Sequence, residues 1–184
     1  MSNERELVEA ARSGSVIAFT ELVSAYRVRL LRFLLTRCSS HADAEDALQD
    51  TFLNAFRYLS TYDSRWRFST WLYRIALRNA ARLHRPDERL EAEPVDGAAD
   101  PLLACMAASE RENLWLTARR VLSDEVCTAL WLRYAEDLSV NDVATVLDRS
   151  TSWTKVNLMR ARQALDAALG DKSPASGRNI YGQA

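Results

Sequence analysis

The stretch DAEDALQDTFLNAF, residues 43–56, sets the fold class. Ala44, Ala47, Leu48, Phe52 and Ala55 fall at i, i+3, i+4, i+8 and i+11, one stripe of an α-helix rather than the alternation of a strand. That stripe can be buried. The other side carries Asp46, Gln49, Asp50 and Leu53, neighbours at three- and four-residue spacing, with Asp43 ahead of them. The ordinary meaning of such a helix is a solvated acidic face. A solvated face needs no Leu53 among its acids, whereas a face that docks on a basic partner has a use for one.

Working outward, the same helical texture continues on both sides. Residues 4–13 read as a short helix. Ala18 to about Cys38 read as a longer one, with Phe19, Leu22, Val23, Tyr26, Leu30, Phe33 and Leu34 on its apolar face. Ser39-Ser40 break it, and the quoted helix then runs to about Leu59. After a polar loop at 60–64, Ser69 or Thr70 is expected to cap a helix that ends near His84, before Pro86. Residues 87 to about 108 hold Pro94, Gly97, Pro101 and several acids, with little periodicity, and read as a linker. Beyond it, Glu110–Val121 is helical, and Ser123-Asp124-Glu125 opens another helix. Ser139 and Asp142 have capping-box spacing before a short helix ending near Leu147. Asp148-Arg149 is a turn, and Ser150 caps a last helix to about Leu169.

The expected class is therefore all-α, in two small helical domains. Residues 1–86 and 110–169 make the domains, 87–109 the linker, and 170–184 a tail expected to be disordered. The linker predicts that the two domains fold independently and tumble loosely.

Composition narrows the function. With 48% hydrophobic and 27% charged residues, the chain has the balance of a soluble globular protein. No run approaches the roughly 20 apolar residues of a membrane span, and the charged start MSNERELVEAARSG is unlike a secretory signal. Cys38, Cys105 and Cys127 are odd in number and far apart, which fits free thiols in the cytoplasm. Cys38 and His41 are spaced like half a metal site without a second half, so no metal or other cofactor is expected. With no phosphate loop and no paired nucleophile and base, no enzyme is expected.

The net charge is only −1, but its distribution is uneven. Residues 65–86 hold six Arg and no acid, and residues 87–112 hold eight acids and two Arg. The basic block, YDSRWRFSTWLYRIALRNAARLHRP at 62–86, interleaves Arg with Trp66, Phe68, Trp71 and Tyr73. Arg holds phosphate and exposed rings stack on unpaired bases, which is the chemistry of single-stranded DNA binding. Trp71, Leu72 and Ile75 are better read as core; Trp66 and Phe68 sit at a loop–helix junction where either reading stands. Residues 139–162 form a short helix, a tight turn and a longer helix, the helix-turn-helix pattern. Thr154, Leu158, Ala161, Leu165 and Ala168 face inward, and Ser152, Lys155, Val156 and Met159 outward, with Trp153, Arg160 and Arg162 at the flanks.

Taken in order, DAEDALQDTFLNAF, FSTWLYRIA at 68–76 and the helix-turn-helix ending in RAR at 160–162 resemble the bacterial RNA polymerase sigma factors of the extracytoplasmic-function (ECF) group, over roughly residues 15–86 and 113–169. The resemblance implies that Asp43, Glu45, Asp46, Gln49, Asp50 and Leu53 dock on the clamp helices of the β′ subunit of core RNA polymerase. It implies that Arg65, Trp66, Arg67, Phe68, Arg74, Arg78, Asn79 and Arg82 open and hold the promoter −10 element. Arg149, Ser152, Trp153, Lys155, Val156, Met159 and Arg160 would read the −35 element. The acidic linker would thread the polymerase channel, the β subunit would be a further contact, an anti-sigma factor would be a partner, and the chain itself would catalyse nothing.

The sequence departs from that family in three places. Arg78 stands where Asn is usual, with Asn79 after it, and Arg82 stands where Asp or Asn is common. The recognition helix reads Trp153-Thr154-Lys155-Val156-Asn157-Leu158 where Thr-Val-Lys-Ser-Arg-Leu is frequent, so its outward stripe is more apolar and suited to thymine methyls and shape. The turn lacks the common Gly, and Asp148-Arg149 must supply the left-handed residue. Two alternatives compete: a helix-turn-helix repressor with an N-terminal sensing or dimerisation domain, which leaves the Arg–aromatic block unexplained, and an enzyme, for which the sequence offers no phosphate loop, metal cluster or paired nucleophile and base; a third and lesser one is a sigma-like protein that binds polymerase or a regulator without initiating.

Overall fold

The structure, a computed structural model, describes residues 2–83 and 110–170; the expectations for the linker and tail, and for Pro86, lie outside them. The first half contains α1 (Ser2–Arg12), α2 (Val16–Leu35), α3 (His41–Tyr58), a 3-10 turn (Leu59–Thr61) and α4 (Phe68–Leu83). Gly14, at φ +98°, takes the left-handed step between α1 and α2 that a Cβ would strain. Ser15 then opens α2 by accepting from the Ala18 amide at 3.2 Å, and Ser40 opens α3 by accepting from the Asp43 amide at 3.0 Å.

The N-terminal core is where α2, α3 and α4 meet. Leu30, Phe33 and Leu34 of α2, Ala44, Ala47 and Ala55 of α3, and Leu72, Tyr73 and Ala76 of α4 are all buried. The alanine stripe read from the sequence lets α4 approach α3 closely, and Phe33 meets Tyr73 edge-on at 5.2 Å. Thr51 is buried too, a residue the apolar stripe did not include. Its hydroxyl donates to the Ala47 carbonyl at 2.6 Å and accepts from Asn79 Nδ2 at 3.2 Å.

One expected cap is corrected. α4 begins at Phe68, so Ser69 and Thr70 lie inside its first turn, both buried. The start is fixed by tertiary packing: Phe68 is drawn against the rings of Tyr26 and Tyr62 at 5.6 and 5.7 Å. Tyr62 in turn donates its hydroxyl to the Trp66 carbonyl at 2.6 Å, tying down the loop that precedes the helix.

The second half contains α5 (Glu110–Val121), α6 (Asp124–Leu130), a π-helical turn (Trp131–Ala135), α7 (Val140–Leu147) and α8 (Thr151–Gly170). Ser123 precedes α6 as read but its side chain makes no capping hydrogen bond, whereas the other local signals hold here. Ser139 and Asp142 form the capping box, with the Asp142 amide donating to Ser139 Oγ at 3.1 Å and the Ser139 amide donating back at 3.3 Å. Asp148 takes φ 56°, the left-handed turn residue expected without Gly. Ser150 accepts from the Trp153 amide at 3.0 Å and starts α8. Thr154, Leu158, Ala161 and Leu165 face the core as read. Ser139→Ala is expected to destabilise the chain by about 1–2 kcal/mol, since it removes the hydroxyl that accepts from the Asp142 amide and donates to the Asp142 carboxylate. The urea midpoint of wild type against variant checks this, and an unchanged midpoint contradicts it.

The two halves expected to be separate are in contact in the structure. α4 packs along α7, and Thr70 donates to Asp142 Oδ1 at 2.8 Å inside the contact. Composition does not reveal that these two surfaces are complementary.

Candidate functional site

Three surfaces carry the residues singled out by sequence. The first is α3. Glu45, Asp46, Gln49 and Leu53 are exposed, while Asp43 and Asp50 are half-buried. Among the described residues Asp46 and Asp50 have no ion-pair partner, and Glu45 is 3.9 Å from His41. Leu53 is 44% exposed and Phe56 53%. Phe56 meets Phe19 of α2 edge-on at 5.1 Å, and with Phe52, Leu53 and Gln49 they line a shallow groove. The groove thus has an apolar centre with Glu45 and Gln49 of α3 and Arg27 of α2 around it. Phe19 and Phe56 were missed as members. The spacing of Phe56 three residues after Leu53 was the available signal; the position of Phe19 beside them depends on how α2 crosses α3.

The second surface is the loop 62–67 and the outer side of α4. Trp66 is 45% exposed. Arg65 is exposed and clamped on Asp63, with Nη2 2.6 Å and Nε 2.8 Å from Oδ2. These hydrogen bonds hold the Asp63 carboxyl below its ordinary pKa. Arg67, Arg78 and Arg82 are exposed and Arg74 is half-buried. Two members of the expected set are corrected. Phe68 is 3% exposed, enclosed by Tyr26, Tyr62 and Trp71. Asn79 is 5% exposed, its Nδ2 donating to Thr51 and its Oδ1 accepting from Asn54 at 3.2 Å. Both side chains face the core, so neither presents itself to a nucleic acid.

The third surface is the start of α8. Ser152, Lys155, Val156, Met159 and Arg160 are exposed, as their outward register required. Trp153 is half-buried, with the Arg149 guanidinium 5.6 Å from its ring centre. Arg149 is itself held by Glu125 of α6, at 2.6 Å from Nε and 3.3 Å from Nη2. Glu125 was read only as a first-turn acid; its role as the partner that aims Arg149 comes from the packing of α6 beside the turn. Trp66 and Arg74 also line one cleft with Asp148 and Arg149, so the structure brings the second and third surfaces together.

This arrangement has counterparts among known proteins. The Sigma-70 region 2 family model matches residues 22–89. The chain is 32% identical over 180 residues to the RNA polymerase sigma-H factor of Pseudomonas aeruginosa, covering 90% of this chain and 93% of that one. The chain belongs to the RNA polymerase sigma factors. It is also 30% identical to the ECF RNA polymerase sigma-E factor of Haemophilus influenzae, over 89% of this chain and 93% of that one, which puts this sigma factor in the ECF group. Among solved structures, it resembles CnrH in complex with the cytosolic domain of CnrY, with a TM-score of 0.68 and 27% identity over 93% of this chain and 99% of that one. The fold of this sigma factor is also that of the sigma factor RpoE of Bartonella quintana, solved with the anti-sigma factor NepR, at a TM-score of 0.69 and 21% identity over 86% of this chain and all of that one.

Proposed function

We propose that this sigma factor binds core RNA polymerase through the acidic–apolar face of α3 and directs promoter-specific initiation, with its remaining two surfaces on DNA. The observation that carries the reading is the exposure of Leu53 and Phe56 in one groove with Glu45 and Gln49 of α3. An apolar pair costs free energy in water and gains it against the apolar stems of a basic helical partner, such as the β′ clamp helices.

On this proposal Trp66 stacks an unpaired base of the −10 element while Arg65, Arg67, Arg74, Arg78 and Arg82 hold phosphates. Extruding a base costs a few kcal/mol, offset by the stacking and by pocket contacts. The first turns of α8 enter the major groove of the −35 element. Val156 and Met159 meet thymine methyls there, and Arg149, Lys155 and Arg160 supply charge. The chain does no covalent chemistry, works in the cytoplasm beside polymerase and has an anti-sigma partner. No described helix is long and apolar enough to cross a membrane. The repressor alternative has no observation in its favour: the Arg–aromatic surface it leaves unexplained is present, and the relatives are polymerase factors.

The test is run-off transcription from genomic promoters with core polymerase and the purified chain. Specific transcripts are expected, and their absence, with polymerase bound, removes the initiation reading. Trp66→Ala should leave polymerase binding intact and reduce open-complex formation by about 1–3 kcal/mol, roughly 5- to 150-fold. Equal loss of polymerase binding would show that Trp66 acts elsewhere.

A further inference from the structure

Arg149 is held from three sides. Its amide donates to the Ala144 carbonyl at 2.9 Å, directly after the left-handed Asp148. Its guanidinium is gripped along one edge by Glu125 of α6, through Nε at 2.6 Å and Nη2 at 3.3 Å. The Trp153 ring lies beside it, with the guanidinium carbon 5.6 Å from the ring centre. Trp153 is itself seated in the first turn of α8, half-buried, its amide donating to Ser150 Oγ at 3.0 Å. The Arg149 side chain nevertheless stays 50% exposed. An exposed ion pair adds little to stability, so what this arrangement supplies is orientation.

A guanidinium carries five N–H donors in one plane. Glu125 takes one on Nε and one on Nη2, and among the described residues no other hydrogen bond engages the group. The end formed by Nη1 and Nη2 is left as a fork of two parallel donors, beside the turn that leads into α8. In the major groove one base offers such a fork two acceptors, guanine, through O6 and N7. A phosphate also accepts two parallel bonds, but the placing of Glu125 speaks against it. Attraction to phosphate is a matter of charge. A carboxylate 2.6 Å away offsets that charge while it sets the direction, and direction is what a base edge requires.

We infer that Arg149 reads a guanine of the −35 duplex end-on, and that Glu125 is the positioning residue that aims it, with Trp153 as the platform alongside. This rests on the DNA-binding reading above. It adds to that reading a base, and a residue on a different helix from the one that enters the groove. Lys155 and Arg160, exposed on α8, are then the residues that supply charge to phosphates.

The test uses holoenzyme, core polymerase carrying the full chain, to select duplexes with a randomised upstream segment. The enriched duplex is then titrated against the same duplex with its guanine replaced by adenine, with core polymerase alone as the blank. Wild type should enrich one position for guanine and prefer it about tenfold over adenine. Arg149→Ala should lose that preference. Glu125→Gln keeps the shape of the side chain but not its charge. It should lose most of the preference while binding the adenine duplex as tightly as wild type or more so, because the freed guanidinium turns to phosphate. A merely structural role for Glu125 would lower both affinities together, and that result overturns the positioning role. So does a preference that survives Glu125→Gln but not Arg149→Ala. A guanine preference that survives Arg149→Ala, or a wild-type pool enriched only for other bases, overturns the base contact. A wild-type selection with no enriched upstream position instead removes the −35 reading itself.

Discussion

Asp46→Arg is expected to weaken binding to core RNA polymerase by about 2–3 kcal/mol, roughly 30- to 150-fold, without unfolding the chain. The fold is spared because Asp46 is exposed and holds no ion pair among the described residues. The affinity is not spared because Asp46 lies on the same face of α3 as the exposed Leu53, two turns on, where a docked partner would exclude water. A charge placed at the rim of a desolvated contact acts through a lower effective dielectric than one in open solvent. Reversing it replaces attraction by repulsion against a basic helix. Equilibrium titration with fluorescent core polymerase reads the change. Equal affinities for variant and wild type would mean that α3 is an ordinary solvated helix.

Phe33→Ala is expected to destabilise the chain by about 3–5 kcal/mol, enough to leave it largely unfolded at 37 °C if its stability is average. Phe33 is fully buried between α2 and α4, edge-on to the equally buried Tyr73. Truncation removes the transfer free energy of the ring and leaves a cavity that three packed helices close only in part. The ring contact adds to the loss. Because α4 also carries contacts to α7 and the following turn through Thr70 and Arg74, those contacts should loosen with it. Chemical denaturation followed by far-ultraviolet circular dichroism measures the effect. A loss below about 1 kcal/mol would contradict the packing described, being less than such a core deletion costs.

The helical class and most helix ends were legible in residues 43–56 and their neighbours, because those signals are local. An i, i+3, i+4 stripe needs only the helix it lies on. The capping box of Ser139 and Asp142, the left-handed Asp148 and the Ser150 cap each join atoms a few positions apart. The outward register of Ser152, Lys155, Val156 and Met159 followed from the same period.

What the tertiary structure decided were the choices between residues of equal local merit. Trp66 and Phe68 stand two positions apart in one basic loop. Tyr26, from α2, and Tyr62, at the start of the same block, bury Phe68 and leave Trp66 outside. Asn79 lies in the same block as Arg78, yet the hydroxyl of Thr51 turns it inward. Burial of Phe68 likewise displaced the start of α4 ahead of Ser69 and Thr70. Largest of all is the closure of the two domains. Its bonds join residues 72 positions apart at Thr70–Asp142 and 107 apart at Arg29–Glu136. No hydrophobic period reports a match between a donor in one domain and an acceptor in another. That match exists only once both domains have folded and their surfaces have met.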